Sequence, residues 1–351
     1  MEARLPRAHR ALAAIPAPPI GGLLAPLDAL RARLLRTLAP HARSLVVERD
    51  RRVALIASLL LVTALLGASL VPLWIVALGP IVWGIPHVVS DLRYLVARPG
   101  FHRRPLILLT IGGGILAAGL GAGLRGALGA AIVALLVARG SLARRAAGIA
   151  VVGALFVVAQ RLGWLADMAF VQLHNLVGVA LWWGWRRRAS RLHWLPLALF
   201  GAGVALLLAG AAEPLLHRTH GLESPFTSLP LSYLAWSVSP TMNGPWPVRF
   251  VVLYAFAQSA HYLVWLRLIP EDDRKSPTPR SFTQSYRALR ADVGAVVLWG
   301  ALVGAIVLAV WAIINVGAAR DGYIRAAFFH GYLEIIAAAL LFAERPKLEG
   351  P

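Results

Sequence analysis

The sequence predicts an all-α protein, a polytopic bundle of transmembrane helices, and three observations predict it. Apolar residues make up 58% of the 351 positions against 15% charged, with a mean hydropathy of +0.68, outside the balance of soluble domains. They fall in long runs with few charges, such as Val53 to Leu73, Pro105 to Leu124 and Val293 to Ile314, each able to cross ~30 Å of hydrocarbon. Arginine density also alternates from one connection to the next, the pattern that sets membrane orientation.

Taken in order, the runs place ten spans at about 53–71, 73–97, 105–123, 126–138, 146–162, 166–185, 194–212, 248–268, 293–315 and 321–343. The fourth and fifth are short; read as a re-entrant pair, they leave eight spans and the same orientation for everything after them. Arginines are dense in the N-terminal arm, at Arg4, Arg7, Arg10, Arg31, Arg33, Arg36, Arg43, Arg49, Arg51 and Arg52. They are dense again in every second connection, at 98–104, 139–145, 186–191 and 274–290, whereas the opposite connections hold little beyond Arg125, Arg161, Arg218 and Arg320. The positive-inside rule makes the dense set and both termini cytoplasmic.

The chain thus divides into a basic arm, residues 1–52, and a transmembrane helical domain, residues 53–345. The arm has no apolar run long enough for a cleavable signal. Between Pro26 and Pro40, Leu27, Leu30, Leu34, Leu35 and Leu38 share a helical face while Arg31, Arg33 and Arg36 point away, the pattern of a helix lying on the inner membrane surface. The outer connection 213–247 contains an apolar piece, Leu229 to Val238, that reads as a lid, and the inner connection 270–290 reads as polar and solvated. The sequence shows no internal repeat, which weakens a transporter built on inverted halves.

Cysteine is absent, so there is no disulfide framework and no thiolate ligand, and any metal must be held by nitrogen and oxygen. The net charge of +19 sits in the arm and the short connections, where orientation and anionic membrane lipid explain it without nucleic acid. All but two of the 35 basic residues are arginine, Lys275 and Lys347 being the exceptions. With the excess of Ala, Leu and Gly, this composition suggests a bacterial gene of high GC content, and hence a multi-pass protein of the bacterial inner membrane.

Ten histidines are present; His9, His41, His102, His193, His217 and His220 fall in the arm, in connections or at span edges and read as interfacial or solvated. His87, His174, His261 and His330 instead lie inside apolar spans, where an ionisable group is expensive and marks a functional site. Their spans all run from outside to inside, so depths compare directly. At ~1.5 Å per residue the four lie roughly 21, 12, 20 and 14 Å from the outer boundary, close enough for one central site.

Two of the four have a carboxylate four residues on, His87 with Asp91 and His330 with Glu334, a spacing that puts both groups on one helix face to ligate the same metal or orient the imidazole. Tyr254, Gln258 and His261 form a similar stripe, whereas Gln172 and Asn175 lie off the face of His174. Imidazole and carboxylate without thiolate suit iron, manganese, zinc or copper. The leading expectation is non-haem Fe(II) held by the four histidines, with Asp91, Glu334 and Tyr254 assisting catalysis. Gln258, Tyr262 and Tyr323 would line a path for a lipophilic substrate. Two other classes fit the same residues: b-type haem held by histidine pairs, and a proton-coupled transporter or channel relaying protons through His87, Asp91, His330 and Glu334.

The run Gly84-Ile85-Pro86-His87 followed by Asp91, with further histidines inside spans, resembles the Brp/Blh family of membrane-embedded β-carotene 15,15′-dioxygenases. In that family a Gly-Ile-Pro-His motif with a nearby Asp supplies one of four iron-ligating histidines, and the enzyme cleaves β-carotene to retinal. The resemblance implies iron ligation by His87 and, beyond it, by His174, His261 and His330. It covers about ten contiguous residues. The family places two histidines four apart on one late helix, where this chain has His261 and His330 single on different spans.

Overall fold

A computed structural model of the chain describes residues 16–185, 190–274 and 276–344. Arg4, Arg7, His9, Arg10, Arg186 to Arg188, Lys275 and the end of the membrane domain at 345 lie outside the described residues. All regular structure within them is helical, and eight segments are long and apolar enough to cross a membrane.

The helices are α1 (Gly21–Val47), α2 (Arg49–Leu70), α3 (Pro72–Ala97), α4 (Pro105–Ala117), α5 (Gly123–Val137), α6 (Leu142–Leu162), α7 (Trp164–Trp185) and α8 (Trp194–Leu208). They continue with the short α9 (Glu213–Thr219) and α10 (Leu231–Val238), then α11 (Trp246–Leu263), α12 (Phe282–Ile314), α13 (Val316–Ala327) and α14 (Phe329–Glu344). The apolar stretch Pro105–Val137 is a hairpin. A Cβ on Gly114 would collide with that of Ala130, two positions that a straight helix would hold roughly 24 Å apart. The reversal falls at Gly121, whose φ of 104° is a left-handed conformation that L side chains resist.

The middle of the bundle is α11. Val251 to Ala257, Gln258, Ala260, His261 and Tyr262 are all buried, with α2, α3, α7, α8 and α10 packed around it. Enclosure by protein explains why a helix carrying Tyr254, Gln258 and His261 is tolerated here. The outer helices instead leave Leu109, Leu116, Val157, Val307 and Ile313 exposed, the apolar perimeter that a lipid environment requires.

The arginines of the dense connections gather at one end of the bundle. Arg52 donates to Glu271 at 2.7 and 3.1 Å, and Arg267 and Arg274 reach the other carboxylate oxygen at 2.8 and 2.9 Å. Arg98 pairs with Asp273 at 2.9 Å, Arg93 with Asp292 at 2.7 Å, and Arg104 with both oxygens of Glu344 at 2.7 and 2.8 Å. The connection 270–290, expected to be solvated, is largely absent as a loop. Glu271 and Asp272 are buried in a helical turn, Ile269–Asp272, that follows α11, and α12 begins at Phe282 behind a Ser281/Gln284 capping box. Three guanidiniums on one carboxylate make that burial possible.

One further expectation is corrected and two elements are seen in more detail. Arg320 is not in an outer connection but buried within α13, its Nε donating to Val76 O at 3.1 Å. The piece at 229–238 turns Leu234 and Val238 into the protein and leaves Tyr233 and Trp236 exposed. Helix α1 runs longer than expected; Leu23, Leu27, Leu30 and Leu34 are exposed along one face, while Asp28 accepts from the N–H groups of Phe282 and Thr283 at 2.6 and 3.0 Å.

Burial pushes the Glu271 carboxyl up, but Arg274, Arg52 and Arg267 outweigh it and hold the group below the usual carboxylate range. Its stabilisation is therefore present at neutral pH and lost as pH falls through that depressed value. Glu271→Ala strands buried cations and is expected to cost about 3–5 kcal/mol at pH 7, read as a lower thermal unfolding midpoint in detergent, with a smaller loss at pH 4.

Candidate metal centre

Four histidines arrive at one point from four helical segments: His87 from α3, His174 from α7, His261 from α11 and His330 from the first turn of α14. Ring centroids are 4.6 Å apart for His87 and His261, 5.0 Å for His87 and His330, 5.3 Å for His174 and His261, 5.6 Å for His174 and His330, and 6.1 Å for His261 and His330. The Nε2 atoms of His87 and His261 are 3.0 Å apart. His87 and His261 are fully buried, whereas His174 and His330 keep part of their surface open to a cavity.

Two of the outward nitrogens are held by backbone carbonyls. His174 Nδ1 donates to Val171 O at 2.9 Å and Phe170 O at 3.2 Å, and His330 Nδ1 donates to Ala327 O. His87 Nδ1 stands 3.3 Å from Asp91 Oδ1. Fixing the proton on Nδ1 leaves the Nε2 lone pair available, the arrangement that orients a ligating histidine. Asp91 is the carboxylate placed nearest to the His87 Nδ1 side.

Glu334 behaves differently from its expected pairing with His330. Its Oε1 lies 3.4 Å from His261 Nε2, on the side where His261 meets His87. The reason is the break at Phe328 between α13 and α14, which leaves the Ala327 carbonyl open to satisfy His330. Both oxygens of Asp91 and of Glu334 are buried without a hydrogen-bond partner of good geometry. A charged carboxylate in such a place costs several kcal/mol unless a cation or a shared proton neutralises it.

Two overlapping groups, His87/His261/His330 and His87/Asp91/Glu334, could each hold a hard or borderline cation. Nitrogens that share an ion at roughly 2.0–2.1 Å lie about 3.0–3.4 Å apart when cis, matching the His87 to His261 approach. Potential ligand atoms of His87, His261 and His330 all lie within 4.8 Å of one another, as do those of His87, Asp91 and Glu334. An N–H···N hydrogen bond would explain the first pair alone and leave the two carboxylates unanswered.

Beside the histidines lies a cavity of about 150 Å³. The expected Tyr254, Gln258, Tyr262 and Tyr323 all line it, with His174, His261 and His330. Gln258 donates to the Tyr262 hydroxyl at 3.3 Å, and Tyr323 packs so tightly on Gly84 that any side chain there would strike its ring. Phe170, Phe328 and Tyr332 form the other end of the cavity, Phe170 stacking on Tyr332 at 5.5 Å.

Several contributors escape sequence reasoning. Asn175, judged off the face of His174, is buried and lines the cavity. Gly178 brings α7 against α11 and the segment after it, since a Cβ there would sit 2.9 Å from His261 Nδ1 and 3.2 Å from Trp265 Nε1. It lies four residues after His174, the same-face spacing that could have exposed it. His193, expected at the interface, is fully buried against Trp182 at 6.3 Å, away from this centre.

Comparison of the sequence with protein-family models and with curated proteins, and of the structure with solved structures, finds no match. The site therefore stands on its own geometry.

Gly178→Ala is expected to weaken binding of a divalent ion at this centre about 10–100-fold, the range seen when a ligand's support is disturbed. Chelator competition on the purified protein measures it. Unchanged affinity in a folded variant would remove His261 from the ligand set.

Proposed function

We propose that this chain is a membrane-embedded, metal-dependent oxygenase that holds non-haem iron among His87, His174, His261 and His330 and acts on a lipophilic substrate. The observation carrying this reading is the convergence of four imidazoles with two buried carboxylates whose oxygens have no hydrogen bond of good geometry. The absence of cysteine favours a metal that accepts nitrogen and oxygen. Bound there, iron would supply the redox chemistry and the open positions that dioxygen activation needs.

The protein's own groups have separable tasks. Asp91 keeps the His87 proton on Nδ1, while Glu334 offers negative charge beside His261 Nε2. Tyr254, Tyr262 and Tyr323 present aromatic walls that suit an unsaturated, apolar chain. The cavity takes the reacting segment, and the rest of a long substrate would extend past Phe170 and Phe328, the latter exposed on the bundle surface. The resemblance at Gly84 to Asp91 makes a carotenoid or another isoprenoid the first substrate class to test. We read the bundle as ten crossings in the bacterial inner membrane, the hairpin counted as two and α11 included, with the arginine-rich end in the cytoplasm.

A haem is less well served, because its two axial nitrogens stand on opposite faces of a macrocycle, and His87 and His261 approach to 3.0 Å. The unpartnered carboxylates favour one further reading, a proton-coupled transporter in which Asp91 and Glu334 pass a proton.

Elemental analysis and a visible spectrum of protein purified without chelator separate these readings. The oxygenase is expected to carry one iron per chain without a Soret band, to lose it in His87→Ala and His330→Ala, and to consume dioxygen with β-carotene in proteoliposomes. Wild-type protein with neither metal nor pigment would overturn the proposal.

A further inference from the structure

A second and larger cavity, of about 720 Å³, lies at the arginine-rich end, on the far side of α3 from the histidine-lined cavity. Ile85, Pro86 and Val89 of α3 face Leu298 and Leu302 of α12 across its apolar part. Helix α12 breaks at Gly294, whose φ of 79° and ψ of 167° form a backbone state open essentially to glycine alone. Helix α1 closes one side through Ile20 and Arg31.

The polar rim is one-signed. Arg31, Arg93, Arg267, Arg274 and Arg280 line the cavity, and no carboxylate does. Arg93, Arg267 and Arg274 are answered from behind by Asp292 and Glu271. Arg31 stacks over Phe282 at 6.0 Å, and among the described residues neither Arg31 nor Arg280 has a carboxylate within ion-pair distance. Asp28, the nearest acid on α1, spends both oxygens capping α12.

We propose that this cavity binds an anionic phospholipid of the surrounding leaflet, its phosphate between Arg31 and Arg280 and one acyl chain between α3 and α12. Fixed cations at a helix-bundle surface, above an apolar slot in the size range of ordinary ligand sites, are the pattern that recognises a phosphate-bearing amphiphile. Arginine is suited to the phosphate because its planar fork donates in pairs. The exposed leucine face of α1 lies on the same helix as Arg31, which keeps the rim at the level of the headgroups. The proposal is independent of the metal centre.

Native mass spectrometry of the full chain in detergent, titrated with phosphatidylglycerol and with phosphatidylcholine of the same acyl chains, tests it. One phosphatidylglycerol per chain is expected to bind in preference to phosphatidylcholine, and the double variant Arg31→Gln/Arg280→Gln, which breaks no ion pair, is expected to lose that preference by about 30-fold. Ala301→Phe, which fills the slot, is expected to weaken phosphatidylglycerol binding with the thermal unfolding midpoint unchanged. Equal binding of the two lipids, full preference retained in the double variant, or displacement of phosphatidylglycerol by inorganic phosphate at matched concentration would each overturn it. His87→Ala should bind the lipid as wild type does, which separates this result from any failure at the metal centre.

Discussion

Four imidazoles and two carboxylates meet in the middle of a bundle whose outer surface is apolar, and charge in such an interior is costly unless opposite charge touches it. Much of the architecture follows from that constraint. The helix that carries Tyr254, Gln258 and His261 must be wrapped by others, so α11 sits at the centre and the more uniformly apolar helices sit outside. The break between α13 and α14 costs helix continuity at Phe328 and yields a free carbonyl at Ala327 that fixes His330. Close approach at Gly84 and Gly178 lets α3 and α7 press against Tyr323 and His261. These are the places where regular packing gives way, and they surround the histidines.

The class of fold was legible because lipid leaves few choices: apolar run length and arginine alternation follow directly from hydrocarbon thickness and insertion bias. The four histidines were legible for the same reason, as ionisable groups placed where they are expensive. Spacing of four also found Asp91, because a carboxylate one turn away on a regular helix has a single direction to point. It found Glu334 without its neighbour on α11, since the rule looks along one helix, and here His261 comes to 3.4 Å of the carboxylate. Gly178, Asn175 and His193 were missed because their roles depend on which helix lies opposite, which no local pattern encodes. The burial of Glu271 and Asp272 was hidden likewise, its three guanidiniums coming from Arg52, Arg267 and Arg274.

Helix α3 presents different residues to the arginine-rimmed cavity and to the histidines. Pro86 and Ser90 of α3 and Trp265 beyond α11 face the arginine-rimmed space, while His87, on the same helix, turns the other way toward the histidine centre. Ser90 donates to the Trp265 carbonyl at 2.6 Å, tying the two segments together.

Iron K-edge X-ray absorption on the purified protein tests the metal centre most directly. A first shell of nitrogen and oxygen with the outer-shell scattering of several imidazoles, diminished in His261→Ala, is the result expected from the convergence of His87, His174, His261 and His330. An edge with haem scattering, or a protein that takes up no first-row metal while remaining folded, would contradict it.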